Sequence, residues 1–320
     1  MSLQNAVPQA VFGPGSLYVT RIDLDDQTPY NIGYAQEFSY DESGETKELY
    51  GQKQYPLVIA RGTLKASGKI KAATLSGLAL NAVFGGGTFT DGQIKMAQAE
   101  AHDVPAAATA TMDAANMSTA VYPVAATTNA VVGAVFTGHA NIPDGSYVVS
   151  VSAGVSFTAN VAATGTVPDM TVLTFAPNVT VDHAADFNLD LGVLNGATTI
   201  PLLLSTGVVG AGMYAVHDGV YSFNSAEVAA EALITYAYDD ASGGQTVLVV
   251  NQNIGTTPAF QLDYVSELYG DSYYVRMFAA VSNKLTRAHK LTDFVMPEID
   301  FGFFALGNGN VYEISYAKKS

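Results

Sequence analysis

The side chains best equipped for chemistry are five histidines, His102, His139, His183, His217 and His289, set far apart in the chain. His102-Asp103 and His217-Asp218 are adjacent pairs, but neighbours on a strand point to opposite faces and cannot orient one another as a base and its carboxylate must. There is no HExxH, no H-x-E with paired cysteines, and no cysteine at all, so zinc chemistry, disulfides and a thiolate nucleophile have no motif to rest on. No G-x-S-x-G elbow is present. Gly85-Gly86-Gly87 follows an apolar helical segment instead of opening one, the wrong polarity for a phosphate cradle. Asp23, Asp25 and Asp26 could pass for a calcium loop, yet the twelve-residue ligand pattern does not follow, and a solvated turn is expected. Carboxylate pairs at a glycosidase spacing are open to any acidic β protein, but nothing singles out a pair and tryptophan is absent. The expectation is a protein without catalytic residues, cofactor or metal.

The charged side chains that do cluster are cationic. Lys47, Lys53, Arg61, Lys65, Lys69 and Lys71 are six of the 14 Lys and Arg residues, in 25 positions. From Leu57 the chain reads LVIARGTLKASGKIK, in which Arg61, Lys65, Lys69 and Lys71 are all odd-numbered, so an uninterrupted strand would present them on one face. Gly62 and Gly68 predict a bend or bulge within it. Two readings fit this face: lysines that protect a strand edge, or an acceptor surface for something acidic. Before it, DESGETKELYGQKQYP reads as a long polar loop, and long ordered loops are usually functional. After it, Leu75, Leu78, Ala79, Ala82 and Val83 recur at helical spacing, with Thr74 or Ser76 as cap and Gly85 as stop.

The run KELYGQKQYPLVIARGTLKASGKIKAATLSGLALNAVFGG resembles the tail tube proteins (major tail proteins) of long-tailed bacteriophages. GVYSFNSAEVAAEALITYAY and the closing LTRAHKLTDFVMPEIDFGFFALGNGNVYEISYA are similar to later segments of the same family, and together these cover about half the chain. The resemblance implies a β-sandwich or partly closed barrel with one short helix. It implies subunits in hexameric rings that stack into a tube conducting double-stranded DNA, and partners that include a sheath, initiator or terminator. It also implies that the loop carrying Lys47, Glu48, Tyr50, Gln52, Lys53 and Tyr55, with Arg61, stacks one ring on the next. The expected location is the virion tail, after folding in the host cytoplasm.

Composition is compatible with this. The 320 residues are 48% hydrophobic and only 13% charged, which favours surface hidden in an oligomer. The net charge of −15 is unevenly spread: from Lys95 to Arg276 no other Lys or Arg occurs, while 16 Asp or Glu do. Such a chain is a poor gripper of nucleic acid, because phosphate binding needs cations, but it suits a duct past which DNA slides. The N-terminus shows neither a basic region nor an apolar run, so no signal peptide is expected. The uncharged run Leu191 to Val216 carries Pro201 and five glycines and reads as buried strands and turns, not as a membrane span.

In order, Leu17, Val19, Ile22 and Leu24 mark a strand, a turn runs from Asp25 to Pro29, and Tyr34 to Tyr40 is its hairpin partner. The resemblance then breaks at an Ala-, Thr- and Val-rich detour, about 113–185, whose short Val-rich runs and Asp-Gly turns describe an inserted β module within a discontinuous 1–112 and 186–320 domain. Ser225 is expected to cap a single helical turn, and DDASGG to turn LITYAY back into QTVLVV. Strands at 259–265 and 272–279 should pair, and FGFFALGNGNVYEISYA should close as a hairpin across Gly307 to Asn310. A competing reading of the whole is a β-rich surface protein whose inserted module binds a receptor or glycan.

Overall fold

A computed structural model describes residues 14–25, 27–73, 77–85, 87–255, 258–268, 271–289, 294 and 296–317. The chain is mainly β, with one α-helix among the described residues, and divides into two compact units, Met1–Thr90 with Gln245–Ser320, and Asp91–Gly244.

The first unit is built on one antiparallel sheet. Strand β1, Gly15–Arg21, pairs with β2, Pro29–Tyr50, which pairs with β3, Pro56–Ala72. β3 continues to the strand Glu298–Phe303, that strand to Asp271–Thr286, that to Phe260–Leu268, and the last returns to β1. Six strands therefore close into a barrel in which each has two neighbours, a solution that leaves no open edge around the ring. Alternate residues point inward: Leu17 and Val19, Phe260, Leu262 and Tyr264, Ile299, Phe301 and Phe303 fill a single core. Helix α1, Gly77–Phe84, adds Ala79, Ala82 and Val83 to that core, as their spacing predicted. The expected caps Thr74 and Ser76, with Leu75, lie outside the described residues, as does Asp26 of the first turn.

Three local expectations give way to longer-range pairing, and a fourth to a neighbouring cap. Residues 41–50, expected in a loop, continue β2, because β3 supplies a partner for them up to Tyr50↔Pro56; only 51–55 bend. The C-terminal residues turn at Leu306 to Asn310, where Leu306 N–H donates to Asn310 O at 2.9 Å, but the flanking strands do not form a hairpin with each other. Glu298–Phe303 and Tyr312–Ala317 lie in line along one edge of Asp271–Thr286, which at 16 residues is long enough to take both. DDASGG does not turn back: Glu231–Val249 runs through it, because β4, Gly87–Asp103, pairs alongside that strand and its Lys95 pairs with Asp240. Asn224, not Ser225, caps the short 3₁₀ turn Ser225–Glu227, accepting from Ala226 N–H at 3.0 Å. The pairing of Phe260–Leu268 with Asp271–Thr286 is as expected.

The second unit is entered along β4 and left along Glu231–Val249, neighbours in a three-stranded sheet with Phe187–Asn195. Its short strands between Ala108 and Thr180 surround an aromatic core of Tyr122, Phe136, Phe157 and Phe175. A second core joins Val104, Val179, Val193, Tyr214, Tyr221 and Tyr236. Because that second core draws on residues either side of 113–185, the compact unit is wider than the module expected from composition. The uncharged run Leu191 to Val216 forms strands and turns but is not buried throughout: Ile200, Leu203, Leu204 and Val208 are exposed.

Candidate interaction arm and acid–histidine cluster

The β2 and β3 strands outgrow the barrel. β1 pairs with β2 no further than Ala35, and Glu298–Phe303 pairs with β3 no further than Ser67. Beyond these points, residues 41–50 and 56–66 pair only with each other among the described residues, as a two-stranded arm about 30 Å long. Every residue from Asp41 to Tyr55 is exposed. So are Leu57, Val58, Ile59 and Leu64, which with Leu49, Tyr50 and Tyr55 make the arm apolar on both faces; Tyr55 is 83% and Leu57 67% exposed. A two-stranded ribbon is marginal in water, and a patch of this kind marks an interaction surface. Each large side chain buried there would add about 1.5–3 kcal/mol.

All seven expected stacking residues lie on this arm. Lys47, Glu48 and Tyr50 occupy the end of β2, Gln52, Lys53 and Tyr55 the bend, and Arg61 sits opposite Thr46 on β3. The register corrects one expectation. Gly44 faces Leu64 and Thr46 faces Arg61, which leaves Glu45 opposite both Gly62 and Thr63. That extra residue is a bulge, and directly opposed residues share a face, so Arg61 stands on the face of Thr46 and Tyr40 while Lys65, Lys69 and Lys71 share the face of Ser43, Ser39 and Glu37. Gly68 makes no bulge; it lies under Phe301.

The cations also divide by partner. Lys69 pairs with Glu298 at 2.5 Å and Lys71 with Glu37 at 2.6 Å, and the Glu298 contact raises the Lys69 ammonium above its ordinary range. These two are satisfied within the barrel wall. Lys47, Lys53, Arg61 and Lys65 form no ion pair among the described residues. From Leu49 to Thr90 the sequence holds no Asp or Glu, so this half of the arm is purely cationic. At the tip, Tyr50 donates its hydroxyl to Glu48, which raises the phenol above its usual range.

One group in the second unit has metal-ligand character: Glu100, His102 and Asp182, whose ligand atoms all lie within 4.8 Å of one another. Glu100 and His102 alternate along β4 and so share a face, and His102 Nε2 is 2.5 Å from Glu100 Oε1. Burial raises the Glu100 carboxyl, but the Tyr236 hydroxyl at 2.7 Å, the Asp182 N–H at 3.0 Å and His102 together hold it below its ordinary value. The sequence signal for this group is the i, i+2 spacing of Glu100 and His102, which a strand places on one face, and not the adjacent His102-Asp103 pair. A second half-buried carboxylate, Asp190, accepts from Tyr214 at 2.6 Å, from Tyr221 at 2.8 Å and from Gly192 N–H at 3.0 Å, and so joins two core tyrosines. The exposed apolar residues of the arm were missed as partners of the cations because a Leu-Val-Ile run reads as core wherever its strand is taken to lie in a sheet.

Among the described residues no helix is long and apolar enough to cross a membrane. Compared with known families and curated proteins, the chain matches no family model and no curated protein.

Proposed function

We propose that this chain is a structural virion protein whose subunits close into hexameric rings and stack into a tail tube through which double-stranded DNA passes. The observation that carries the reading is the arm: an extended ribbon, exposed on both faces, with large apolar side chains around its tip and along β3 and with cations, Lys47, Lys53, Arg61 and Lys65, that form no ion pair among the described residues. A lone chain gains nothing from holding such a ribbon in water, whereas a second copy would bury Leu57, Val58 and Ile59 and neutralise Lys53 and Arg61. The closed barrel beneath supplies a rigid base. The number six, the stacking and the DNA come from the family resemblance carried by the same segment. In this role the acidic surplus serves transport, since an acidic wall repels phosphate and lets a duplex slide without sequence preference. Other tail proteins would meet the ends and outside of the tube.

Negative-stain electron microscopy of the purified chain at high and low concentration tests this. Rings or tubes with a channel wide enough for duplex DNA are the expected result, and monomers at every concentration would overturn it. The rival reading, a receptor- or glycan-binding module, draws on the size and separate cores of the unit Asp91–Gly244. It predicts a soluble monomer on sizing.

A further inference from the structure

We propose that Glu100, His102 and Asp182 form a binding site for a divalent first-row transition ion, with Zn²⁺ or Ni²⁺ as the natural occupants. One imidazole nitrogen and two carboxylates within 4.8 Å of one another make a mixed nitrogen and oxygen donor set. The imidazole argues for zinc, nickel or cobalt over calcium or magnesium, which prefer oxygen alone. Ligand atoms around an ion with bonds of about 2.0–2.2 Å stand roughly 3–3.5 Å apart, so a bound ion would open the 2.5 Å contact between His102 and Glu100 while keeping all three ligand atoms within the 4.8 Å they now span.

Two further observations support an ion here. First, the Glu100 carboxylate is already oriented. Its Oε2 accepts from the hydroxyl of fully buried Tyr236, which itself accepts from His183 N–H at 3.2 Å, and its Oε1 accepts from Asp182 N–H. Outer partners of this kind fix a ligand's direction before the ion arrives. Second, among the described residues no Lys or Arg forms an ion pair with Glu100 or Asp182. The unit Asp91–Gly244 holds 14 Asp or Glu and a single Lys or Arg, Lys95, and Lys95 is engaged by Asp240. Apart from His102, Glu100 receives only the neutral Tyr236 hydroxyl and Asp182 N–H, and the Asp182 carboxylate adds a second negative charge within 4.8 Å, which a dication would compensate. The site ties β4 to the turn at Asp182, and the bound ion would cross-link the two.

Isothermal titration of the full chain with ZnCl₂, NiCl₂ and MgCl₂, in a buffer that does not bind metal, tests the assignment. The expected result is one Zn²⁺ or Ni²⁺ per chain and at least tenfold weaker Mg²⁺. His102→Ala and Asp182→Asn should each weaken Zn²⁺ at least tenfold, and His139→Ala should leave it unchanged. His102 is only partly buried and Asp182 is exposed, so both variants should fold, which circular dichroism would verify. Zn²⁺ should also raise the melting temperature of the parent chain and not of either variant, and shift the imidazole nitrogen resonances of His102 alone. Absence of Zn²⁺ binding, binding unaltered by His102→Ala, or a shift at His139 or His217 instead would overturn the proposal.

Discussion

Phe301 lies across Gly68 in the barrel wall so closely that a Cβ added to Gly68 would stand 2.2 Å from the ring's Cζ. The two residues are direct cross-strand partners, and Phe301 is fully buried. Gly68→Ala should therefore force the ring or the strand to move, at a cost of about 1–3 kcal/mol. Thermal or urea unfolding would measure the loss, and adding Phe301→Leu should recover part of it. A Gly68→Ala chain as stable as the parent would show that the ring is not held there.

Tyr122 sets the opposite case. Its hydroxyl is buried and finds no hydrogen-bond partner among the described residues, and its ring stacks on Phe157 at 5.2 Å in the aromatic core. Tyr122→Phe keeps the ring and removes a polar atom whose burial is uncompensated, so it should be neutral or stabilise the second unit by up to about 1 kcal/mol. Destabilisation in a denaturant titration would reveal that the hydroxyl has a partner.

Lys53→Glu with Arg61→Glu should abolish growth of tubes or rings while changing the melting temperature little, because surface substitutions away from packed sites lie within about 0.5 kcal/mol. Both side chains stand on the exposed arm, and neither is ion-paired among the described residues. Sedimentation and electron microscopy would read assembly, and calorimetry the fold. Loss of folding would assign the arm a role in the core.

Acid should weaken the barrel through Asp263. Burial alone raises this carboxyl, but the Tyr274 hydroxyl, the Gln261 amide at 2.7 Å and the Arg276 guanidinium at 2.7 Å hold it below its ordinary value. A depressed folded pKa contributes stability that is full above the unfolded value of about 3.9 and lost as pH falls through the folded one. Stability measured against pH should thus fall below about pH 4, and Asp263→Asn should lower stability at neutral pH and flatten that acid limb. An unchanged limb would mean other carboxylates control it.

Replacing residues 91–244 by a short Gly-Ser linker should leave the barrel folded. The strands that leave and re-enter it run side by side, with Thr88 Oγ1 donating to Leu248 O at 3.4 Å, so the linker has a short gap to span. Near-ultraviolet circular dichroism and a cooperative melt would check it, and an unfolded product would make the second unit part of the barrel's stability.

The sequence by itself determined whatever depends on neighbours in the chain. The period-2 alternation around Leu17 and Val19, the helical spacing of Ala79, Ala82 and Val83 and the pairing of Phe260–Leu268 with Asp271–Thr286 are all local and were legible. The concentration of cations between Lys47 and Lys71 was equally plain. Tertiary structure alone decided which strands meet at a distance. Nothing local says that Phe260–Leu268 returns to β1, or that Asp271–Thr286 carries two strands along one edge. Turn-forming residues such as DDASGG yield when a partner strand offers hydrogen bonds and an ion pair, because pairing energy exceeds a local preference. The same cause governs the two sites. One bulged residue at Gly62–Thr63 moves Arg61 to the other face from Lys65, since side chains alternate with a period of two and a single insertion inverts every residue beyond it. Asp182 meets Glu100 and His102 across 80 residues of chain only because the fold sets its turn beside β4.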